Sequence, residues 1–256
     1  MSNRKLLAIH GLGGHSGWFD RLKDELLNFD IDLYAYDLPG FGLNHVGQDK
    51  SSIYQKGHID SYKEWKDFVR IKYVKLKEEF GQVDVLGHSL GAVLASSIDF
   101  DKNDKLILSV PGYKGAQDTF NPIFVSKVLW HYAFDKKLMN KNVFLEMPVS
   151  DKDQDTPALR DELRVASVSQ NLLFEILELG KVAKQKLPRI QNEVLMLQVE
   201  GDRVVDNQAQ DECFELIGSE NKTKKVFSGT DHDWIWTDKN AEIARFIADW
   251  LKAPAK

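Results

Sequence analysis

The stretch Val83-Asp84-Val85-Leu86-Gly87-His88-Ser89-Leu90-Gly91-Ala92-Val93-Leu94-Ala95 constrains this chain more than any other. An apolar run enters a G-x-S-x-G turn, and a run of small apolar residues leaves it. The first reads as a buried strand and the second as the start of a buried helix. A sharp turn between them holds a serine hydroxyl out at the carboxyl end of a sheet. Glycine suits positions 87 and 91 because a side chain at either would strike the neighbouring strand or helix. The bare pentapeptide occurs in accidental turns. The strand before it and the helix after it make Ser89 a candidate nucleophile.

The flanking sequence repeats this strand-then-helix rhythm. Strands are expected at Lys5–Ile9, Ile31–Tyr36, Lys105–Val110, Val194–Val199 and Lys225–Phe227. Ser16 is placed to cap a helix whose apolar face is Trp18, Leu22 and Leu26. Ser61 and Glu64 form a capping box for a helix carrying Trp65, Phe68, Val69, Tyr73, Leu76 and Phe80, which Gly81 ends. A helix follows at Asn207–Ile217, and a last one buries Ile243, Ile247, Trp250 and Leu251. Six strands alternating with helices predict an α/β fold with a doubly wound, mostly parallel six-stranded sheet. The rhythm stops between Tyr113 and Pro188. Pro122 suits the first turn of a helix, Ile123–Phe134 is apolar nearly all round, and Thr156-Pro157 opens another helix containing Leu159, Leu163, Ala166, Leu173, Ile176 and Leu177. At roughly 75 residues this is too long for an ordinary connection. The expected organisation is a core of residues 1–112 and 189–256 with a helical cap at 113–188.

Composition excludes several functions. The net charge is −5, and no basic block is present to neutralise phosphates, so nucleic acid is not an expected partner. The single Cys213 excludes an internal disulfide, has no second thiolate beside it for a metal site, and suits core packing. Leu6–Ile9 is too short for the apolar region of a signal peptide, and no segment is long enough to span a bilayer. A cytoplasmic protein without an integral membrane segment is expected.

Serine needs a base to take its proton and an acid to orient that base. Asp202 and His232 each follow a later strand, and ligands on such sheets bind at the strands' carboxyl ends. His232 lies among short, flexible residues, Ser228-Gly229-Thr230-Asp231, which suits a base on a loop. Asp206 is a rival acid but is better placed as the cap of the helix starting at Asn207. Asp231 and Asp233 are too near His232 in sequence to orient it. The oxyanion donors are expected to be the backbone N–H of Leu90 and that of Leu12 in the loop His10-Gly11-Leu12-Gly13-Gly14. That loop lacks the G-x-G-x-x-G pattern of a dinucleotide site, and neither a cofactor nor a metal is expected. His10 and His88 are read as structural supports.

These motifs together resemble the α/β-hydrolases, in particular their monoacylglycerol lipase and bacterial lysophospholipase branch. His10-Gly11-Leu12-Gly13-Gly14-His15-Ser16-Gly17 resembles the branch's oxyanion loop, and Asp37-Leu38-Pro39-Gly40-Phe41-Gly42 its D-x-x-G-x-G turn. Gly87-His88-Ser89-Leu90-Gly91 matches its elbow, and Asp202-Arg203-Val204-Val205-Asp206-Asn207 resembles its acid loop. The two strands that open many members are not expected here, since the first strand read is the one before the oxyanion loop. Gly201 directly precedes the acid, where the usual glycine lies three before it. The resemblance implies a serine hydrolase acting through an acyl-enzyme on a carboxylic ester with one acyl chain, a monoacylglycerol or a lysophospholipid. A thioesterase, a C–C bond hydrolase and a prolyl aminopeptidase share the machinery. A catalytically silent binding protein on the same fold is the alternative of another class.

The cap's apolar residues, Phe124, Val125, Val128, Leu129, Trp130, Tyr132, Phe134 and Phe144, either line an acyl-chain tunnel or pack a helix on two sides. Phe124, Val128, Trp130 and Trp234 are the candidate substrate contacts, with Trp234 and Trp236 equally open to a core role. Lys127, Lys136, Lys137 and Lys141 either attract an anionic head group or solvate a surface. Transient contact with lipid surfaces and the oligomeric state stay open.

Overall fold

The computed structural model describes residues 3–45, 56–116 and 161–254, together with Ser126, Trp130, Met139 and the backbone of 142–144. In chain order the elements are β1 (Arg4–Ile9), α1 (Asp20–Leu27), β2 (Ile31–Ala35), α2 (Tyr62–Phe80), β3 (Asp84–His88), α3 (Leu90–Ser96) and β4 (Leu106–Ser109). They continue with β5 (Asn142–Phe144), β6 (Ser167–Ser169), α4 (Gln170–Lys186), β7 (Val194–Val199), α5 (Asn207–Leu216), β8 (Lys222–Phe227) and α6 (Asn240–Lys252). Six strands form one sheet in the order β2-β1-β3-β4-β7-β8, and every neighbouring pair is parallel. The expected fold class is found.

Alternation along the strands sends side chains into two cores. Leu7, Ile9, Val85, Leu108 and Met196 face one side, where Trp65, Val69 and Leu76 of α2, the whole apolar face of α3, and Leu172 and Leu179 of α4 cover them. Leu6, Ala8, Leu86, Ile107 and Leu197 face the other, under Leu22 and Leu26 of α1 and Ile243, Ile247 and Leu251 of α6. Both faces are covered, which is why the central strands read as continuous apolar runs. β3 lies between β1 and β4 with all five residues buried, so the serine turn leaves the sheet from its interior. The α2 capping box forms as expected: Ser61 Oγ accepts from Lys63 N, and Glu64 Oε1 accepts from Ser61 N at 2.8 Å.

Four local expectations are corrected. β8 begins at Lys222, because lysines at 222, 224 and 225 suit an exposed edge strand although they leave no apolar period to read. The 3-10 turn Ser16–Phe19 is capped by His15, whose Nδ1 accepts from Gly17 N at 3.1 Å, and not by Ser16. The insertion is not wholly helical: β5 and β6 pair antiparallel, with Val143 opposite Val168. The helix expected from Thr156-Pro157 onward does not run through Leu163 and Ala166. Val165 is buried just before β6 and Val168 within it, and α4 starts only at Gln170, where Ser169 Oγ accepts from Leu172 N at 3.1 Å. α4 buries Leu172, Leu173, Leu179 and Ala183 in the same core as α2 and α3. No helix of the described residues is long and apolar enough to cross a membrane.

Candidate active site

Ser89 is the single residue between β3 and α3, with φ +55° and ψ −117°. A non-glycine residue there costs on the order of 1–3 kcal/mol, so its surroundings must hold it. They do so through the backbone. Ser89 N donates to Ser109 O at 2.9 Å, and Ser89 O accepts from Ala92 N at 3.1 Å and from Gly112 N at 3.2 Å. The two flanking glycines are required as the sequence predicts. A Cβ on Gly91 would overlap the carbonyls of Ile9 and His10, and one on Gly87 would overlap Gly91 O and the Ala92 backbone.

The structure brings the three expected side chains together. His232 Nε2 lies 2.9 Å from Ser89 Oγ, and His232 Nδ1 lies 2.8 Å from Asp202 Oδ2. An ionised Asp202 only accepts, so Nδ1 carries the ring proton and Nε2 is left to accept from the serine hydroxyl. Asp202 follows Gly201, whose φ of +70° turns the chain directly before it. The other oxygen, Asp202 Oδ1, accepts from Val204 N at 2.8 Å and Val205 N at 3.0 Å. One oxygen is thereby anchored to the backbone and the other reserved for the imidazole. Asp206 is the α5 cap as expected: its side chain accepts from Ala209 N at 3.2 Å and pairs with Lys114. Burial alone pushes the His232 pKa down. The hydrogen bond and charge of Asp202, with the charges of Asp233 and Asp231, outweigh burial and leave it raised.

The loop after β1 approaches the serine as closely as its sequence allows. A Cβ on Gly11 would stand 3.0 Å from Ser89 Cβ and 3.5 Å from Ser89 Oγ. The Leu12 amide has no hydrogen-bond acceptor among the described residues. Leu90 opens α3, so its amide is one of the first-turn donors without an acceptor inside the helix. Neighbouring loops fix this one. His10 is buried: its Nε2 accepts from Leu38 N at 3.0 Å, and its Nδ1–H donates to Gly11 O at 2.8 Å. Burial pushes its pKa down to about 4, so the ring is a neutral strut between two loops. Asp37 accepts from Ser16 N and Leu43 N, each at 2.7 Å, which accounts for the acidic residue in the D-x-x-G-x-G turn.

Behind His232 stand His88, read from the sequence as a support, and Ser109, to which the sequence gives no role. His88 is buried, with its ring centroid 5.4 Å from that of His232, and its Nε2 lies 4.0 Å from Asp233 Oδ1. Ser109 Oγ sits 3.3 Å from His88 Nδ1 and accepts from Trp234 Nε1 at 2.9 Å. Trp234 belongs to the core and is not a pocket wall: it is 1% exposed and packs on the α1/α6 side of the sheet. Trp130 lies in a helical turn and is 56% exposed. Phe124 and Val128 lie outside the described residues. Ligand atoms of His88, His232 and Asp233 fall within 4.8 Å of one another. A cation held there would compete with Ser89 or Asp202 for His232, so the cluster suits proton transfer better than metal binding.

The comparisons with known proteins agree with the fold. The sequence pattern of the serine aminopeptidase S33 family, a group of hydrolases, matches residues 2–240. The chain belongs to this family. A putative monoglyceride lipase of Schizosaccharomyces pombe is 24% identical to the hydrolase over 98% of this chain and 68% of its own length. A phospholipase of Bacillus subtilis is 26% identical over 89% of this chain and 87% of its own. In the solved structure of the Paleococcus ferrophilus monoacylglycerol lipase, the fold superposes with a TM-score of 0.79 at 22% identity. That match covers 98% of this chain and 96% of the other. The chain thus has the α/β-hydrolase fold, and the proteins it resembles include monoacylglycerol lipases.

Proposed function

We propose that the protein hydrolyses carboxylic esters through an acyl-enzyme, with a single-acyl-chain lipid, a monoacylglycerol or lysophospholipid, as substrate. The observation that carries the reading is the unbroken relay Ser89 Oγ, His232, Asp202 at 2.9 and 2.8 Å. Ser89 attacks the carbonyl carbon while His232 Nε2 takes its proton. The tetrahedral oxyanion is held by the amides of Leu12 and Leu90. His232 then returns the proton to the departing alcohol, and water releases the acid by the same steps in reverse. Asp202 keeps the imidazole in its accepting tautomer and stabilises the imidazolium.

The lipid part of the reading is supported by the names of the relatives, a monoglyceride lipase and a phospholipase. An insertion between β4 and α4 forms the cap of this reading. Because α4 packs with the core, the cap is taken as residues 113–169, with Trp130 among its candidate substrate contacts. The protein works in the cytoplasm and meets lipid surfaces transiently. A second reading, an aminopeptidase, is favoured by the family's description alone. Hydrolysis rates for p-nitrophenyl esters from acetate to palmitate, measured beside a monoacylglycerol, a lysophosphatidylcholine and an aminoacyl-proline amide, test both. The account expects longer acyl chains and the two lipids to be preferred. Preference for the acetate contradicts the lipid reading, and preference for the amide establishes the aminopeptidase.

A further inference from the structure

The insertion returns to the core along residues 161–169, and this leg is tied to the loop that carries Leu12. Asp161 is the centre of the tie. Its Oδ2 accepts from His15 Nε2–H at 2.6 Å and from Trp18 Nε1–H at 2.8 Å, across more than a hundred residues of chain, and its Oδ1 accepts from Leu163 N at 2.9 Å. His15 can donate there because its Nδ1 accepts from Gly17 N, which places the single ring proton on Nε2. Four residues along the leg, Val165 N donates to Gly13 O at 2.9 Å. The approach is so close that a Cβ on Gly13 would stand 2.8 Å from Val165 O. Leu12 therefore sits between Gly11, packed against Ser89, and Gly13, His15 and Trp18, all held by the leg. Asp161 itself touches neither Ser89 nor His232.

The geometry points to Asp161 as a positioning residue for the hydrolysis: by gathering His15 and Trp18 onto the return leg, it holds the Leu12 amide at the oxyanion site. This rests on the reading of Leu12 as an oxyanion donor, and it makes the base of the cap part of the catalytic frame. It also explains two residue types. An ionised carboxylate can accept from a histidine, an indole and a backbone amide at once, and Trp at 18 supplies an N–H that a purely apolar core position would not need.

The test compares Asp161→Asn and Trp18→Phe with the unaltered protein in ester hydrolysis. Removing one oxyanion donor outright costs a factor of about 10²–10³ in kcat. A displaced donor costs less, so a fall of about 10–100-fold is expected for Asp161→Asn, with KM within about twofold. Trp18→Phe keeps the buried ring and loses one donor, so a fall of about 3–10-fold is expected. A third readout is the rate ratio of an ester to its thionoester, which depends on hydrogen bonding to the developing anion. That ratio falls in both variants if the hole is loosened. Unchanged kcat in Trp18→Phe, or an effect confined to KM, overturns the proposal even if Asp161→Asn does not fold. Fluorophosphonate labelling of the unaltered protein separates this failure from failure of the hydrolase reading, since that labelling needs Ser89 and His232 but not a particular Asp161.

Discussion

Asp202→Asn is expected to leave the fold intact and remove most of the activity. The structure says which way the new amide must face. Oδ1 takes two backbone donors, from Val204 N and Val205 N, at 2.8 and 3.0 Å. Turning the amide so that its NH₂ faced them would leave two donors unpaired, at roughly 1–3 kcal/mol each. The carbonyl oxygen therefore stays on the backbone, and the NH₂ takes the place of Oδ2, 2.8 Å from His232 Nδ1. Two donors cannot share that contact, so the ring proton moves to Nε2. The nitrogen that should accept from Ser89 then becomes a donor. The wrong tautomer costs about 10⁴-fold in kcat, close to 5 kcal/mol of transition-state stabilisation. The assay is p-nitrophenyl ester hydrolysis at saturating substrate, with circular dichroism and thermal melting to verify the fold. A folded Asp202→Asn protein that kept more than a tenth of the activity would refute this account of the acid.

Three further outcomes follow from the same geometry. Gly11→Ala puts a methyl 3.0 Å from Ser89 Cβ, a few tenths of an ångström inside ordinary contact, so a loss of about 10-fold or more in kcat is expected with little change in melting temperature. The base must be neutral to work, and the His232 pKa is raised. The acidic limb of kcat/KM against pH should thus have its midpoint above the ordinary value of about 6.5, and Asp233→Asn should move it to lower pH. His10 should make the fold acid-sensitive. Between about 6.5 and about 4 the unfolded chain binds a proton on this residue that the folded chain does not, so stability falls as pH is lowered through that window, by about 3 kcal/mol in all. Urea unfolding of the unaltered protein and of His10→Gln, at neutral pH and near pH 4.5, measures the difference, and equal slopes in the two proteins would contradict it.

The fold was legible because its signals are local and repeated. Apolar runs buried on both sides mark β1, β3, β4 and β7, and the glycines at 87 and 91 announce a turn in which no Cβ fits. Ser61 with Glu64 announces the start of α2, and Asp206 that of α5. Ser89, Asp202 and His232 were legible because each terminates or follows a strand of one parallel sheet, so topology alone collects them at one edge. What was missed depends on partners distant in sequence. Asp161 looks like any surface acid in a charged stretch, and its neighbours His15 and Trp18 belong to another part of the chain. Trp234 is ambiguous in sequence because an aromatic beside a catalytic loop suits a pocket and a core equally. Its burial, its packing under α1 and α6 and its bond to Ser109 Oγ decide for the core. The β6 strand, three residues long, has no room to show a period, and Leu163 and Ala166 mimic helical spacing just before it.

The central claim is that Ser89 is a nucleophile activated by His232. Labelling the purified protein with a fluorophosphonate, then digesting it and locating the adduct by mass spectrometry, tests this most directly. The account predicts one adduct, on Ser89, absent in Ser89→Ala and formed far more slowly in His232→Ala. No adduct on the folded protein, or an adduct at another residue that persists in Ser89→Ala, would contradict it.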